Sequence, residues 1–74
     1  MTSQNSAPVQ GSYHWILTLQ VPGDVMVTDS GTWNPPAGAT RFDMFAAIRA
    51  YMVAQHPPLA RANTMFFALE PNQL

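Results

Sequence analysis

The chain has 74 residues, no cysteine and no lysine, and its three arginines leave it with a formal net charge of −1. Such a chain makes one small domain without disulfides, and it lacks the basic surface that binds nucleic acid through phosphate contacts. Charged residues make up only 9% of the sequence, against about 25% in ordinary soluble domains. This composition predicts an apolar surface that self-association or a permanent partner would cover. A biased base composition in the source genome would explain the missing lysine equally well.

The N-terminal residues 1–11 are small and polar, and they predict a disordered tail. They have neither the basic region nor the apolar core of a secretory signal. No stretch of the chain approaches the roughly 18 apolar residues of a membrane-spanning helix. We therefore expect a cytoplasmic protein with a single small α+β domain over residues 12–74.

A first strand is predicted over residues 12–21 by strict alternation of apolar and polar side chains. One face would carry Tyr13, Trp15, Leu17, Leu19 and Val21. The sequence Pro22-Gly23-Asp24 predicts a turn, and a second strand follows over residues 25–33. In that strand, Gly31 suggests a bulge or bend, and Asp29, together with Asp24 in the turn before it, is typical of a strand at the edge of a sheet.

The most strongly helical stretch runs from Thr40 to Gln55. Thr40 and Asp43 predict a capping box at its start, and Pro57 ends it after Gln55. Its apolar face contains Met44, Phe45, Ile48 and Met52, with Tyr51 and Val53 at the margins. The opposite face is rich in alanine, either because alanine favours helices or because this face lies against another surface. Arg49, at the edge of the apolar face, is expected to extend its stem along the core.

A second loop over residues 56–63 follows, in which Leu59 is expected to close one end of the core. A third strand over residues 64–69 carries apolar side chains on both faces, with Phe66 and Ala68 on one and Met65, Phe67 and Leu69 on the other. The order β-β-α-β predicts a three-stranded sheet covered on one face by one helix, and we prefer the strand order 2-1-3. The uncovered face would carry Ile16, Met26 and one phenylalanine. Two copies would then associate either face to face or through the edge of strand 3.

Catalytic and metal-binding motifs are not recognisable in the sequence. The two histidines, His14 and His56, have no partner at the spacing of metal ligands, and Asp29-Ser30-Gly31 lacks the first glycine of a nucleophile elbow. We predict no enzymatic activity, no cofactor and no metal.

The preferred hypothesis is therefore a small interaction or regulatory protein, of the adaptor or inhibitor type, which forms a homo-oligomer or binds a larger protein. Its candidate interface residues are Trp15, Trp33, Arg49, Phe66 and Phe67, because aromatic and arginine side chains dominate interface energetics. An alternative is a small-molecule binding module with an apolar pocket between helix and sheet, lined by Met44, Met52 and the aromatic residues. A third is a sheet that stacks single-stranded nucleic acid on its aromatic rings, although basic residues to hold the backbone are few.

Overall fold

The computed structural model describes residues 10–74. Its sheet is built around β1 (Tyr13–Val21), which lies between β2 (Val25–Trp33) and β3 (Asn63–Pro71). Between β2 and β3 the chain forms helix α1 (Arg41–Gln55) and a short 3-10 helix (Pro57–Arg61). β1 pairs antiparallel with both neighbours, so β2 and β3 run parallel to each other on its two sides. The predicted α+β class and strand order 2-1-3 are confirmed.

The hairpin of β1 and β2 keeps one register along its whole length, from Tyr13 opposite Trp33 to Val21 opposite Val25. At its turn, the Asp24 amide donates to the carbonyl of Val21 at 3.0 Å, and Gly23 takes the positive φ of 75° that the predicted turn requires.

No bulge occurs at Gly31, so that prediction is wrong. Gly31 lies opposite Trp15, and a Cβ placed on it would lie 3.2 Å from the nearest carbon of the indole. The absent side chain therefore makes room for the ring of Trp15.

Both ends of α1 are set by the predicted signals. The Thr40 hydroxyl accepts from the Asp43 amide at 3.1 Å, and the Asp43 carboxylate accepts from the Thr40 amide at 3.0 Å, which completes a capping box. The helix ends at Gln55, just before His56 and Pro57. Its buried stripe consists of Met44, Ile48 and Met52. Ala46, Ala50 and Ala54, on the opposite side, are exposed in the described part of the chain.

The core lies between α1 and the face of β1 that points toward it. Its buried apolar side chains are Trp15, Leu17, Leu19, Val21, Ile48, Met52 and Leu59. Leu59 has no exposed surface, so its predicted role in closing the core is confirmed. The segment that carries it is a 3-10 helix rather than the expected loop, and prolines at its first two positions favour this start because their φ is already helical.

β3 is longer than predicted and contains the irregularity that was expected in β2. Its register with β1 shifts between Thr18 and Leu19, where Phe66 and Thr64 are the partners and Met65 is left without one. Met65 is 55% exposed and Phe66 is 54% exposed, whereas Phe67 is half-buried. The extra residue interrupts the strict alternation of side chains on which the predicted grouping of Met65 with Phe67 rested.

Hydrogen bonds join the two ends of the described segment. The Asn72 amide donates to the carbonyl of Ser12 at 2.9 Å, and its side chain donates to Gln10 and Gly11. The tail predicted over residues 1–11 lies, apart from Gln10 and Gly11, outside the described residues. Within residues 10–74, no helix has the length and apolar character needed to cross a membrane.

Candidate interaction site

The five candidate interface residues are divided between the core, the two edges of the sheet and helix α1, which carries Arg49. Trp15 is only 3% exposed, so it belongs to the core and has almost no surface for a partner to contact. Trp33 ends β2 at one edge of the sheet, whereas Phe66 and Phe67 lie in β3 at the other. The structure therefore does not bring the five together, and each edge has to be considered separately.

The β2 side of the molecule carries a cluster of three aromatic rings. The Tyr51 ring makes edge contacts with both Trp15 and Trp33, each with ring centroids 6.2 Å apart. The buried indole N–H of Trp15 has no hydrogen-bond partner among the described residues. This cluster packs the end of the hairpin against α1.

An open depression of about 450 Å³ lies beside this cluster. Its walls come from the end of β2, the loop that follows it, and the first two turns of α1: Trp33, Pro36, Gly38, Ala39, Met44 and Ala47. Asp43 is the one charged residue that lines it, and its carboxylate is already bonded to the Thr40 amide. The depression is apolar and shallow, and it lies beside Met44 rather than between helix and sheet as the pocket hypothesis expected.

The Arg49 side chain forms hydrogen bonds to the backbone of its own chain. Its Nη2 lies 3.3 Å, 3.1 Å and 3.3 Å from the carbonyl oxygens of Leu59, Ala60 and Ala62, and donates to them. These carbonyls lie at the end of the 3-10 helix and just after it, and that of Leu59 also accepts from the Ala62 amide at 3.0 Å. The guanidinium therefore ties the segment before β3 to α1 instead of extending into water.

Three phenylalanines form a continuous row from α1 to β3, which we call the helix-side row: Phe42, Phe45 and Phe67. Ring centroids are 6.2 Å apart between Phe42 and Phe45 and 5.3 Å apart between Phe45 and Phe67. The guanidinium carbon of Arg41 lies 5.0 Å from the centroid of Phe67. Phe42, at the outer end of the row, is 73% exposed.

The importance of Phe42 was not predicted from the sequence. Its spacing of three residues from Phe45 was the available signal, because side chains at i and i+3 are neighbours on a helix. The helix-side row flanks β3 on the side of the sheet that α1 covers.

The opposite face of the sheet, which we call the outer face, is largely polar. It consists of the alternate residues of β1, such as His14 and Thr18, together with their register partners. At its centre the hydroxyl oxygens of Thr18 and Thr28 are hydrogen-bonded at 2.8 Å. Its strongly exposed apolar residues lie at opposite edges, with Met26 in β2 and Phe66 in β3.

The two edges of the sheet differ in charge. Asp29 of β2 is opposite Leu17, so it lies on the core side of the edge strand, where its carboxylate accepts from the Ser30 amide at 2.8 Å. An inward-pointing charge of this kind discourages another strand from pairing with the edge. In β3 the run from Asn63 to Leu69 has no charged side chain.

Titratable groups are scattered over the described residues. Within residues 10–74 there is no group of three or more His, Cys, Asp or Glu side chains that could hold a metal ion. The ion pair of Arg61 with Asp24 is 3.9 Å long and exposed, which makes its contribution to stability small.

Comparison with models of protein families, with curated proteins and with solved structures gives no match. Function is therefore inferred from the surfaces described above.

Proposed function

We propose that this chain is a small non-enzymatic interaction protein, of the adaptor or inhibitor type, that associates with a second copy through its sheet. The observation that carries the proposal is the exposure of aromatic side chains on both sides of β3, with Phe42 on the helix side and Phe66 on the outer face. A monomer would leave these rings in water next to a strand whose only charged side chain, Glu70, lies near its end. We place the protein in the cytoplasm, as expected from its sequence.

The size of the domain supports association. A chain of about this length buries only about 60% of the surface that its unfolded form exposes, and small domains are often stabilised by oligomerisation. Here the described core consists of a handful of fully buried side chains and receives no help from disulfides. Burial of the exposed rings would add apolar contact that the single chain lacks.

The first test is absolute mass by light scattering after size exclusion, over a wide range of protein concentration. We expect the mass to rise from 8.1 kDa toward twice that value. A mass that stays at the monomer value up to the solubility limit would refute self-association. Phe66→Ala should weaken the association while circular dichroism shows an intact fold, whereas Phe67→Ala should also lower stability, because that ring packs on Phe45.

The depression beside Trp33 supports a second candidate function, the binding of a small apolar molecule. A site of about 450 Å³ with an aromatic wall falls within the usual size range of ligand pockets. Titration with a panel of hydrophobic ligands, followed by tryptophan fluorescence, tests it. Ala47→Leu would fill the depression and should abolish binding, whereas Ala50→Leu, on the exposed side of α1, should not. Equal binding by the two variants would exclude the depression.

Nucleic-acid binding, the third candidate, has less support from the geometry. The outer face offers Phe66 as its exposed ring, and the three arginines contact Phe67, the carbonyls near Leu59, and Asp24. Stacking platforms for single strands combine several rings with cations that follow the backbone. The surface around Thr18 and Thr28 carries hydroxyl groups instead of such rings and cations.

A further inference from the structure

We infer that the second copy pairs with this chain through the free edge of β3, antiparallel and across a twofold axis, to form a continuous six-stranded sheet. This inference rests on the proposed self-association and specifies its surface. With the axis perpendicular to the sheet, both copies of α1 lie on the same side. The interface is then isologous and closed, so it stops at a dimer.

The polarity of the outer face argues against a face-to-face sandwich. In such a sandwich the inner faces of both sheets are apolar and interdigitate. Here the centre of the outer face is the hydrogen-bonded pair of Thr18 and Thr28, and His14 and Glu70 lie opposite each other toward one end. Stacking two copies would leave the threonines their mutual hydrogen bond but would remove His14 and Glu70 from water, which opposes association.

The choice between the two edges follows from their charges. A second strand adding to β2 would have to approach the carboxylate of Asp29, which lies on the core side of that strand. Along β3 the next chain would meet Met65, Phe66 and Phe67 instead. Long edge strands without charge or proline are the ones that pair with other chains. The proline of β3, Pro71, is its last residue.

Apolar side chains flank the β3 edge above and below. The helix-side row ends in Phe42, which is 73% exposed, and the outer face contributes Phe66, with the exposed Met65 next to it in the strand. At about 200 Å² for a whole aromatic side chain, the exposed parts of Phe42 and Phe66 amount to roughly 250 Å² per copy. A stable dimer buries about 800 Å² per partner, so the paired strand and its other neighbouring side chains would have to contribute roughly 550 Å² per copy.

The details of β3 are compatible with this pairing. The irregularity at Met65 precedes the regular stretch from Phe66 to Glu70, and this stretch keeps an even register with β1. In an antiparallel pair across a twofold axis, the two copies of Glu70 lie at opposite ends of the interface. Their charges are therefore separated, and repulsion between them is small.

Lysine substitutions at three exposed positions test the inference. Phe66→Lys changes the outer face of β3, and Phe42→Lys changes the exposed end of the helix-side row, which reaches β3 through Phe45 and Phe67. Met26→Lys is the matched control, because Met26 is 59% exposed on the outer face but lies in β2. Each variant is measured by light scattering over the same concentrations as the unaltered protein, with circular dichroism as the check of folding.

Edge pairing predicts that Phe66→Lys and Phe42→Lys each raise the Kd of the dimer by about tenfold or more, whereas Met26→Lys leaves it within about twofold. Hydrogen exchange gives an independent readout on the unaltered protein. Amides of β3 should exchange more slowly as the concentration rises, while amides of β2 should not change. This readout also decides the question if a lysine variant fails to fold.

The other results overturn the inference in distinguishable ways. Loss of the dimer in Phe66→Lys and Met26→Lys, but not in Phe42→Lys, would show a face-to-face dimer, so self-association would stand and edge pairing would fall. No loss in any variant, with unchanged exchange in β3, would move the interface elsewhere. A monomer at every concentration would remove both the inference and the self-association on which it rests.

Discussion

Arg49→Met should destabilise the fold by about 2 kcal/mol. The substitution keeps an apolar stem of similar length and removes the guanidinium, which donates from one nitrogen to the carbonyls of Leu59, Ala60 and Ala62. A hydrogen bond to a charged group contributes about 1.5–3 kcal/mol. Here three acceptors share the two hydrogens of one nitrogen, and the distances of 3.1–3.3 Å exceed the usual 2.7–2.9 Å of charged bonds. We therefore use the lower end of the range for the set as a whole.

Urea denaturation followed by tryptophan fluorescence measures this effect, at a concentration low enough to keep the protein monomeric. A loss of about 2 kcal/mol corresponds to a fall in Tm of roughly 8–16 °C for a domain of this size. Arg61→Met is the matched control, since that arginine is exposed and makes only the long contact with Asp24. Its effect should stay within about 0.5 kcal/mol.

Equal effects of the two substitutions would refute the role assigned to Arg49. A loss of dimer without a loss of stability in Arg49→Met would instead return this residue to the interface, where the sequence placed it as a candidate. The two measurements therefore separate a residue that holds the 3-10 helix from one that contacts a partner.

Two further predictions concern the start of α1 and the strand pair of β1 and β2. Thr40→Ala should lower the free energy of unfolding by about 1 kcal/mol, because the hydroxyl that accepts from the Asp43 amide is lost. Thr40→Ser keeps a hydroxyl and should retain this stability. Equal stability of the two variants in urea would contradict the capping role. Gly31→Leu should cost about 1–3 kcal/mol or more, because its Cβ alone would lie 3.2 Å from the ring of Trp15. Ser30→Leu, on the exposed outer face, is the comparison, and thermal unfolding that is the same in both would show that Gly31 does not make room for the indole.

Local signals in the sequence predicted most of the framework. Alternation in β1, the turn at Gly23 and the capping residue Thr40 each depend on neighbours within a few positions, and the structure confirms all three. The strand order also followed, because the strand with the most regular alternation in the sequence, β1, occupies the centre. Leu59 was recognisable because it is an isolated large apolar residue in a loop of prolines and alanines.

The features that the sequence did not predict depend on residues far apart in the chain. Gly31 is explained by the ring of Trp15 across the strand pair, and the targets of Arg49 are set by how the 3-10 helix packs. The irregularity at Met65 arises from pairing with β1, and a strand with apolar residues on both faces gives no local sign of it. For the candidate site, the sequence indicated Phe66, whereas the exposure of Phe42 became visible only when α1 was placed against β3.

The strand order has a consequence for how the chain folds. The pairs of β1 with β2 join residues that are close in sequence across one tight turn, and such contacts form quickly. The pairs of β1 with β3, from Tyr13 with Pro71 to Gln20 with Asn63, span the whole of α1 and the 3-10 helix. Closing that long connection lowers the chain entropy before the contacts are gained, so docking of β3 should limit the folding rate. β1 is thus the first strand in chain order, but its pairing is complete only after β3 has docked.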